Sequence, residues 1–269
     1  MFPSIELFGK TISMYAICAL IGALAILFVT YKLAQRKGLD EFHMLYMMLF
    51  SFLGVFVFSH ILYAITQIDA IVHVFSHLEI IKSFNDFISV AGYIFGGSVF
   101  YGGLIGAAMV FAIFIKIKKL NFSDYSDIGA IAIPLFHFFG RIGCFLSGCC
   151  YGVEWEKGFV YENALVESAN HVPRFPVQLV EAGFNLFLFF VLYYMYKKGK
   201  ASHRLFAVYL ITYPVYRFIL EYFRGDDYRG FALGLSTSQI ISVILFVIGA
   251  VWLIAAHIRN KLNTNNVKN

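Results

Sequence analysis

The sequence predicts an all-α, polytopic integral membrane protein with about seven transmembrane helices, its N-terminus outside and its C-terminus in the cytoplasm. Three observations predict it. Apolar residues make up 60% of the chain and charged residues 14%, whereas soluble domains run near half and a quarter. Apolar runs of about 20 residues, the length that crosses a bilayer, recur along the whole chain. Lysine and arginine gather at alternate ends of those runs, as the positive-inside rule requires.

The first run, 11–31, is too long for a signal-peptide core. Its positive charges, Lys32, Arg36 and Lys37, mostly follow it, and no clear small-residue cleavage site appears, so it reads as a retained helix. Further spans are expected at 43–66, 92–115, 125–145, 177–196, 204–223 and 236–257, the fourth broken early by Gly140 and Gly143. Thirteen of the 21 basic residues fall at one set of ends: Lys32, Arg36 and Lys37; Lys116, Lys118 and Lys119; Lys197, Lys198, Lys200 and Arg204; Arg259, Lys261 and Lys268. Six fall at the other: Lys10, Lys82, Lys157, Arg174, Arg224 and Arg229. This bias sets the orientation.

Residues 1–259 then form a single transmembrane helical domain, with an outward-facing arm at 67–91 and an outward-facing loop at 146–176. The arm includes the apolar stretch AIVHVF (70–75), suited to lying along the membrane surface. Residues 260–269 are a polar cytoplasmic tail. The net charge of +5 sits at helix ends, where topology explains it, so the expected partner is the membrane and not nucleic acid.

A charge at the centre of a membrane helix costs about 2.5 to 3.5 kcal/mol on insertion scales, so each one needs a reason. In YRFILEYFR (216–224), Arg217, Glu221 and Arg224 are spaced to share one helix face. One reading is an internal Arg–Glu pair plus an interfacial arginine. The sharper reading is an anion site in which Arg217 and Arg224 face a phosphate and Glu221 orients Arg217 or handles a proton. Guanidinium suits phosphate because its planar fork makes two charge-assisted hydrogen bonds at once. GRIGCFLSGCCYG (140–152) adds Arg141 among Gly140, Gly143, Gly148 and Gly152. Glycines of this kind either permit close helix packing or let backbone N–H groups form an anion nest, and Arg141 beside them favours the nest.

FYGGLIGA (100–107) carries Tyr101, Gly102 and Gly103, with the packing spacing Gly102-x-x-x-Gly106. FPVQLVEA (175–182) places Gln178 and Glu181 one helical turn apart. Tyr15 is a lone polar tip in the first span, suited to anchoring at the interface. Cys144, Cys149 and Cys150 follow C-x4-C-C, which is neither a redox nor a usual zinc spacing, so no metal is expected. A disulfide on the outer face and three inert, structural thiols remain the two alternatives.

These stretches occur in the order found in the prolipoprotein diacylglyceryl transferases, and the chain resembles that family over nearly its whole length: Tyr15, YGGLIG, GRIGCFLSGCCYG, FPVQLVEA and YRFILEYFR, then LSTSQIIS (235–242) at the last span. The resemblance implies a multi-pass protein of the bacterial plasma (inner) membrane. It implies transfer of the diacylglyceryl group of phosphatidylglycerol to the lipobox cysteine of a prolipoprotein signal peptide, releasing glycerol 1-phosphate, with no cofactor. It carries the signature arginine onto Arg141, the signature glycines onto Gly140, Gly143, Gly148 and Gly152, and the essential tyrosine onto Tyr15. The later arginine and glutamate fall on Arg217 and Glu221.

With Tyr101, these residues are the expected catalytic set. Arg141, Gly102, Gly103, the four signature glycines, Gln178 and Arg224 are the expected phosphatidylglycerol contacts. The chain departs from the family at Tyr101 and Phe175, where histidines are usual. It departs again at Cys144, Ser147 and Cys149, where asparagine, asparagine and glutamate are usual. The donor side is thus kept while the acceptor side differs. Two other readings stand beside this one: a transferase of the same fold with a non-protein acceptor, and a non-catalytic membrane binding or transport protein.

Overall fold

A computed structural model describes residues 2–266 except 8, 78, 80, 201, 202, 227–229 and 233. Arg229, counted above among the outward charges, lies outside the described residues, as do residues 267–269 of the tail. The chain divides into two compact units, Met1–Leu33 with Ser123–Asn269, and Ala34–Phe122.

In the first unit, a hairpin of β1 (Ser4–Leu7) and β2 (Lys10–Ser13) leads into α1 (Met14–Lys37). The first helix therefore starts three residues later than the apolar run suggests, because Thr11, Ile12 and Ser13 pair in the ladder. α6 (Phe122–Ser147) is continuous through Gly140 and Gly143, contrary to the expected break. The reason is packing. A side chain at Gly143 would press on Tyr15 and Cys18 of α1 at 3.1–3.2 Å, so the small residue seats one helix on the other without leaving the helical conformation.

After α6 come β3 (Glu154–Val160) and β4 (Pro173–Arg174), an irregular antiparallel pair, then α7 (Val177–Lys197) and α8 (Leu205–Leu220). The start of α8 is capped from α6: the Asp127 carboxylate accepts from the backbone N–H groups of His203 at 2.6 Å and Leu205 at 2.8 Å. Such a cap answers donors that a helix cannot satisfy internally. α8 is shorter than the expected span 204–223; it passes into a 3-10 turn at Glu221–Phe223 and then extended backbone at Arg224. The expected single face for Arg217, Glu221 and Arg224 is corrected accordingly, since Arg224 lies beyond the helix.

A short pair, β5 (Phe231–Ala232) and β6 (Leu235–Ser236), precedes α9 (Thr237–Asn266). Ser236 and Gln239 cap that helix reciprocally, the Ser236 Oγ accepting from the Gln239 N–H and the Gln239 Oε1 from the Ser236 N–H.

In the second unit, α2 (Glu41–Thr66) packs along α5 (Phe100–Lys118). Between them lie α3 (Ile68–Ser76) and α4 (Phe84–Phe95), which occupy the expected arm. α4 opens with a capping box between Ser83 and Asp86, and the Ser83 hydrogen bond holds the Asp86 carboxyl below its ordinary range. The expected span 92–115 is corrected here: its first residues belong to α4, and Gly96, Gly97 and Ser98 separate that helix from α5.

Among the described residues, six helices are long and apolar enough to cross a membrane: α1, α2, α5, α6, α7 and α9. Their burial is inverted relative to a soluble protein. Leu20, Phe28 and Val251 are 60–65% exposed, while Glu181 and Asn185 are buried. Apolar outside and charge inside is what a lipid solvent selects. The protein is an all-α, multi-pass membrane protein.

Candidate active site

The charged interior collects where α6 ends, α7 begins and α8 ends. Glu181, 2% exposed at the side chain, is its centre. Its Oε2 accepts from Arg141 Nε at 2.9 Å. Its Oε1 accepts from the Tyr213 hydroxyl at 3.1 Å and stands 4.0 Å from Arg217 Nε. Arg217 also donates through Nη1 to Glu221, one helical turn on, and through Nη2 to Ser238 at 3.2 Å. The capping box at the start of α9 sets Ser238 in place for that contact. Arg224 is paired with Asp226, its Nε 2.8 Å from Oδ1.

Arg141, Arg217 and Arg224 face Glu181, Glu221 and Asp226, so the described ion pairs balance. The arginines differ in how far they remain open. The Arg141 side chain is 21% exposed, against 9% for Arg217 and 7% for Arg224. Arg141 pairs with Glu181 through Nε, and its Nη1 lies 4.0 Å from Cys144 Sγ. It is the most exposed of the three, while Arg217 is held by Glu181, Glu221 and Ser238.

Tyr15 is half exposed and packs on Gly143, which puts it beside the α6 turn that carries Arg141 and Cys144. Gly140 meets nothing within 4 Å, whereas Gly148 and Gly152 shape the following loop. Gly148 has φ +71, and a Cβ at Gly152 would strike the carbonyl oxygen of Phe175. That loop is tied by backbone hydrogen bonds to the segments before α7 and after α8. Val153 N–H donates to Phe223, Phe175 N–H to Val153, and Gly225 N–H to Tyr151.

Gln178 is used at both ends of its amide, accepting from Tyr161 at 3.1 Å and donating to the Cys149 carbonyl at 2.8 Å, so it braces the loop. Arg174, which sequence reasoning took for a topological charge, is buried over the Tyr151 ring and donates to the Ser168 carbonyl at 2.7 Å. Tyr101, Gly102 and Gly103 lie in the second unit. There Gly102 abuts the Phe58 carbonyl and Gly103 the Val55 side chain, which is close packing of α5 on α2. Cys144, Cys149 and Cys150 are free thiols, with no disulfide among them.

The family model for prolipoprotein diacylglyceryl transferase matches residues 4–255. The chain belongs to that family. Similar relatives are the phosphatidylglycerol–prolipoprotein diacylglyceryl transferase of Clostridium tetani, 33% identical over 91% of this chain and 93% of its own, and a second enzyme so named from Clostridium perfringens, 29% identical over 91% of each. A Pasteurella multocida relative of the same name is 34% identical over 65% of this chain and 66% of its own.

Sequence reasoning missed three residues of this cluster in the prolipoprotein diacylglyceryl transferase family member. Glu181 was noticed only as a neighbour of Gln178, although a carboxylate inside an apolar run is itself a signal that a cation lies opposite. Tyr213 gave no signal, being one aromatic among many. His137 lies one turn before Arg141, with its ring 5.2 Å from that of Tyr213 and its Nδ1 buried without a partner.

Proposed function

We propose that this chain transfers the diacylglyceryl group of phosphatidylglycerol to the lipobox cysteine thiol of prolipoproteins, releasing glycerol 1-phosphate. The observation that carries it is the Arg141–Glu181–Arg217 relay, which fixes by its Nε the guanidinium of the most exposed of the three arginines, whose Nη donors stand beside Cys144. A phosphodiester met by those donors gains two charge-assisted hydrogen bonds. When the bond from the glyceryl carbon to the phosphate oxygen breaks, the leaving group takes on a second negative charge. Arg141 is pre-positioned to stabilise that charge, with no reorganisation needed at the moment of reaction. Arg217 and Glu221 act behind it as positioning residues through Glu181. Tyr15 lines the same α6 turn as a hydroxyl donor toward the lipid.

The charge bias of the helix ends supports an N-terminus outside and a cytoplasmic C-terminus, with α8 as a seventh span and the chain in the bacterial plasma membrane. In that orientation the Arg141 site opens toward the outer leaflet, where a secreted precursor presents its lipobox.

The test is incubation of purified protein with phosphatidylglycerol and a lipobox peptide. The expected result is a peptide heavier by one diacylglyceryl group, an equal amount of glycerol phosphate, and no reaction with a zwitterionic lipid. Release of free glycerol with the phosphate kept on the lipid would show that another bond is broken and would refute the reading.

A further inference from the structure

Cys144, Cys149 and Cys150 are separated in sequence by a helix end and a turn, and they meet in space. Their Sγ atoms all lie within 4.8 Å of one another, unbonded. Sulfurs around a tetrahedral zinc, with bonds of about 2.3 Å, stand about 3.8 Å apart, so small side-chain adjustments close the set.

The backbone is built to hold them there. Cys144 sits in the last turns of α6, and the Cys149 N–H returns to its carbonyl at 3.1 Å. Gln178 grips the Cys149 carbonyl from α7 at 2.8 Å. Cys150 has φ 55, a left-handed conformation that residues with side chains seldom adopt. Strained backbone of this kind persists where its surroundings enforce it, commonly at ligand clamps.

Among the described residues, no histidine or carboxylate joins the cluster. Three protein ligands with a vacant fourth position is the pattern of catalytic zinc; structural zinc is closed by four. Charge agrees as well. Three thiolates and a divalent ion carry one net negative charge, and the Arg141 guanidinium, shared with Glu181, has its Nη1 4.0 Å from Cys144 Sγ.

We propose that Cys144, Cys149 and Cys150 hold a zinc ion whose open position binds the acceptor's cysteine thiol. This rests on the transfer reaction proposed above and names how its nucleophile is made. A thiol that coordinates zinc is deprotonated, and the thiolate is the nucleophilic form. The thiol proton passes to water. The sulfur then attacks the glyceryl carbon bonded to the phosphate oxygen. The S–C bond forms, the C–O bond breaks, and its electron pair leaves on glycerol phosphate beside Arg141. The thioether product is neutral and a weak ligand, so it departs and vacates the position. No oxidant or reductant enters.

The test uses the whole protein in detergent, reduced and stripped with a chelator, with cadmium as the spectroscopic stand-in for zinc. One cadmium per chain is expected, with a thiolate charge-transfer band that weakens in each of Cys144→Ser, Cys149→Ser and Cys150→Ser and persists in Cys18→Ser. The band is expected to grow with a cysteine-containing lipobox peptide and not with its serine analogue. In the transfer assay, stripping is expected to lower the rate roughly tenfold or more, with one equivalent of zinc restoring it. An undiminished band in the triple serine variant, or none in the parent, overturns the site. Full transfer by stripped protein overturns the metal's role and leaves the proposed function intact. Metal and thiol bands without any transfer from phosphatidylglycerol uphold the site and refute the lipid reaction instead.

Discussion

Replacing Glu181 with glutamine removes the one charge that Arg141 and Arg217 share. At an effective dielectric of about 20, a unit pair at the observed 2.9 Å attracts by about 6 kcal/mol, and one at 4.0 Å by about 4 kcal/mol, before desolvation. Desolvation cancels much of this, and breaking a buried pair costs about 3 to 5 kcal/mol net, because the partner cations are left uncompensated. Glu181→Gln is therefore expected to unfold at a clearly lower temperature than the parent in detergent, read by tryptophan fluorescence. The deficit is expected to be partly recoverable by an anion. Glycerol phosphate at about 100 times its Kd adds about 2.7 kcal/mol to the folded state, and it is expected to raise the variant's melting temperature more than the parent's, since it fills the vacated role. Turnover is expected to fall, because nothing then fixes the Arg141 Nε. A variant as stable as the parent, or an equal shift by glycerol phosphate in both, would refute the reasoning that Glu181 is the electrostatic centre.

Arg141→Ala is expected to lose about 3 kcal/mol of transition-state stabilisation, roughly a hundredfold in rate, in protein that still inserts, and Arg217→Ala is expected to slow turnover as well by loosening Glu181 and with it Arg141. Arg141→Lys is expected to recover little, since an ammonium cannot present two parallel donors; lipid-transfer kinetics check all three. Gly140→Ala, facing open space, is expected to be near neutral, while Gly152→Ala, colliding with the Phe175 carbonyl, is expected to lower folded yield, both read by size-exclusion in detergent. Asp127→Ala removes the acceptor from two N–H groups at the start of α8 and is expected to cost about 2 kcal/mol, measured as a fall in thermal stability.

Apolar run length and the placement of lysine and arginine made the membrane helices legible, because both reflect the solvent and need no knowledge of contacts. Boundaries failed where a local device intervened: the hairpin that claims 11–13, and the glycine pair that divides 92–115 into α4 and α5. In the site, Arg141, Arg217 and Glu221 were readable because charge in an apolar run is costly wherever it points. Their pairing was not readable. Glu181 reaches Arg141 across 40 positions of chain, and the turn at Leu220 that takes Arg224 off the helix face leaves no mark on the spacing. The cysteines show the same limit from the other side, since their linear spacing resembles no metal motif while the turn at Gly148 brings all three together.

The backbone ties among Tyr151–Val153, Phe175 and Phe223–Gly225 have a mechanical consequence. Membrane helices answer a thicker or thinner bilayer by tilting. Here the ends of α6, α7 and α8 nearest the charged cluster are clasped by peptide groups, which neither slide nor compress. Tilting is thus confined to pivoting about that clasp, and the far ends of the helices take up the movement. Lipids of differing acyl length are then expected to change how these helices splay without drawing Arg141 away from Glu181.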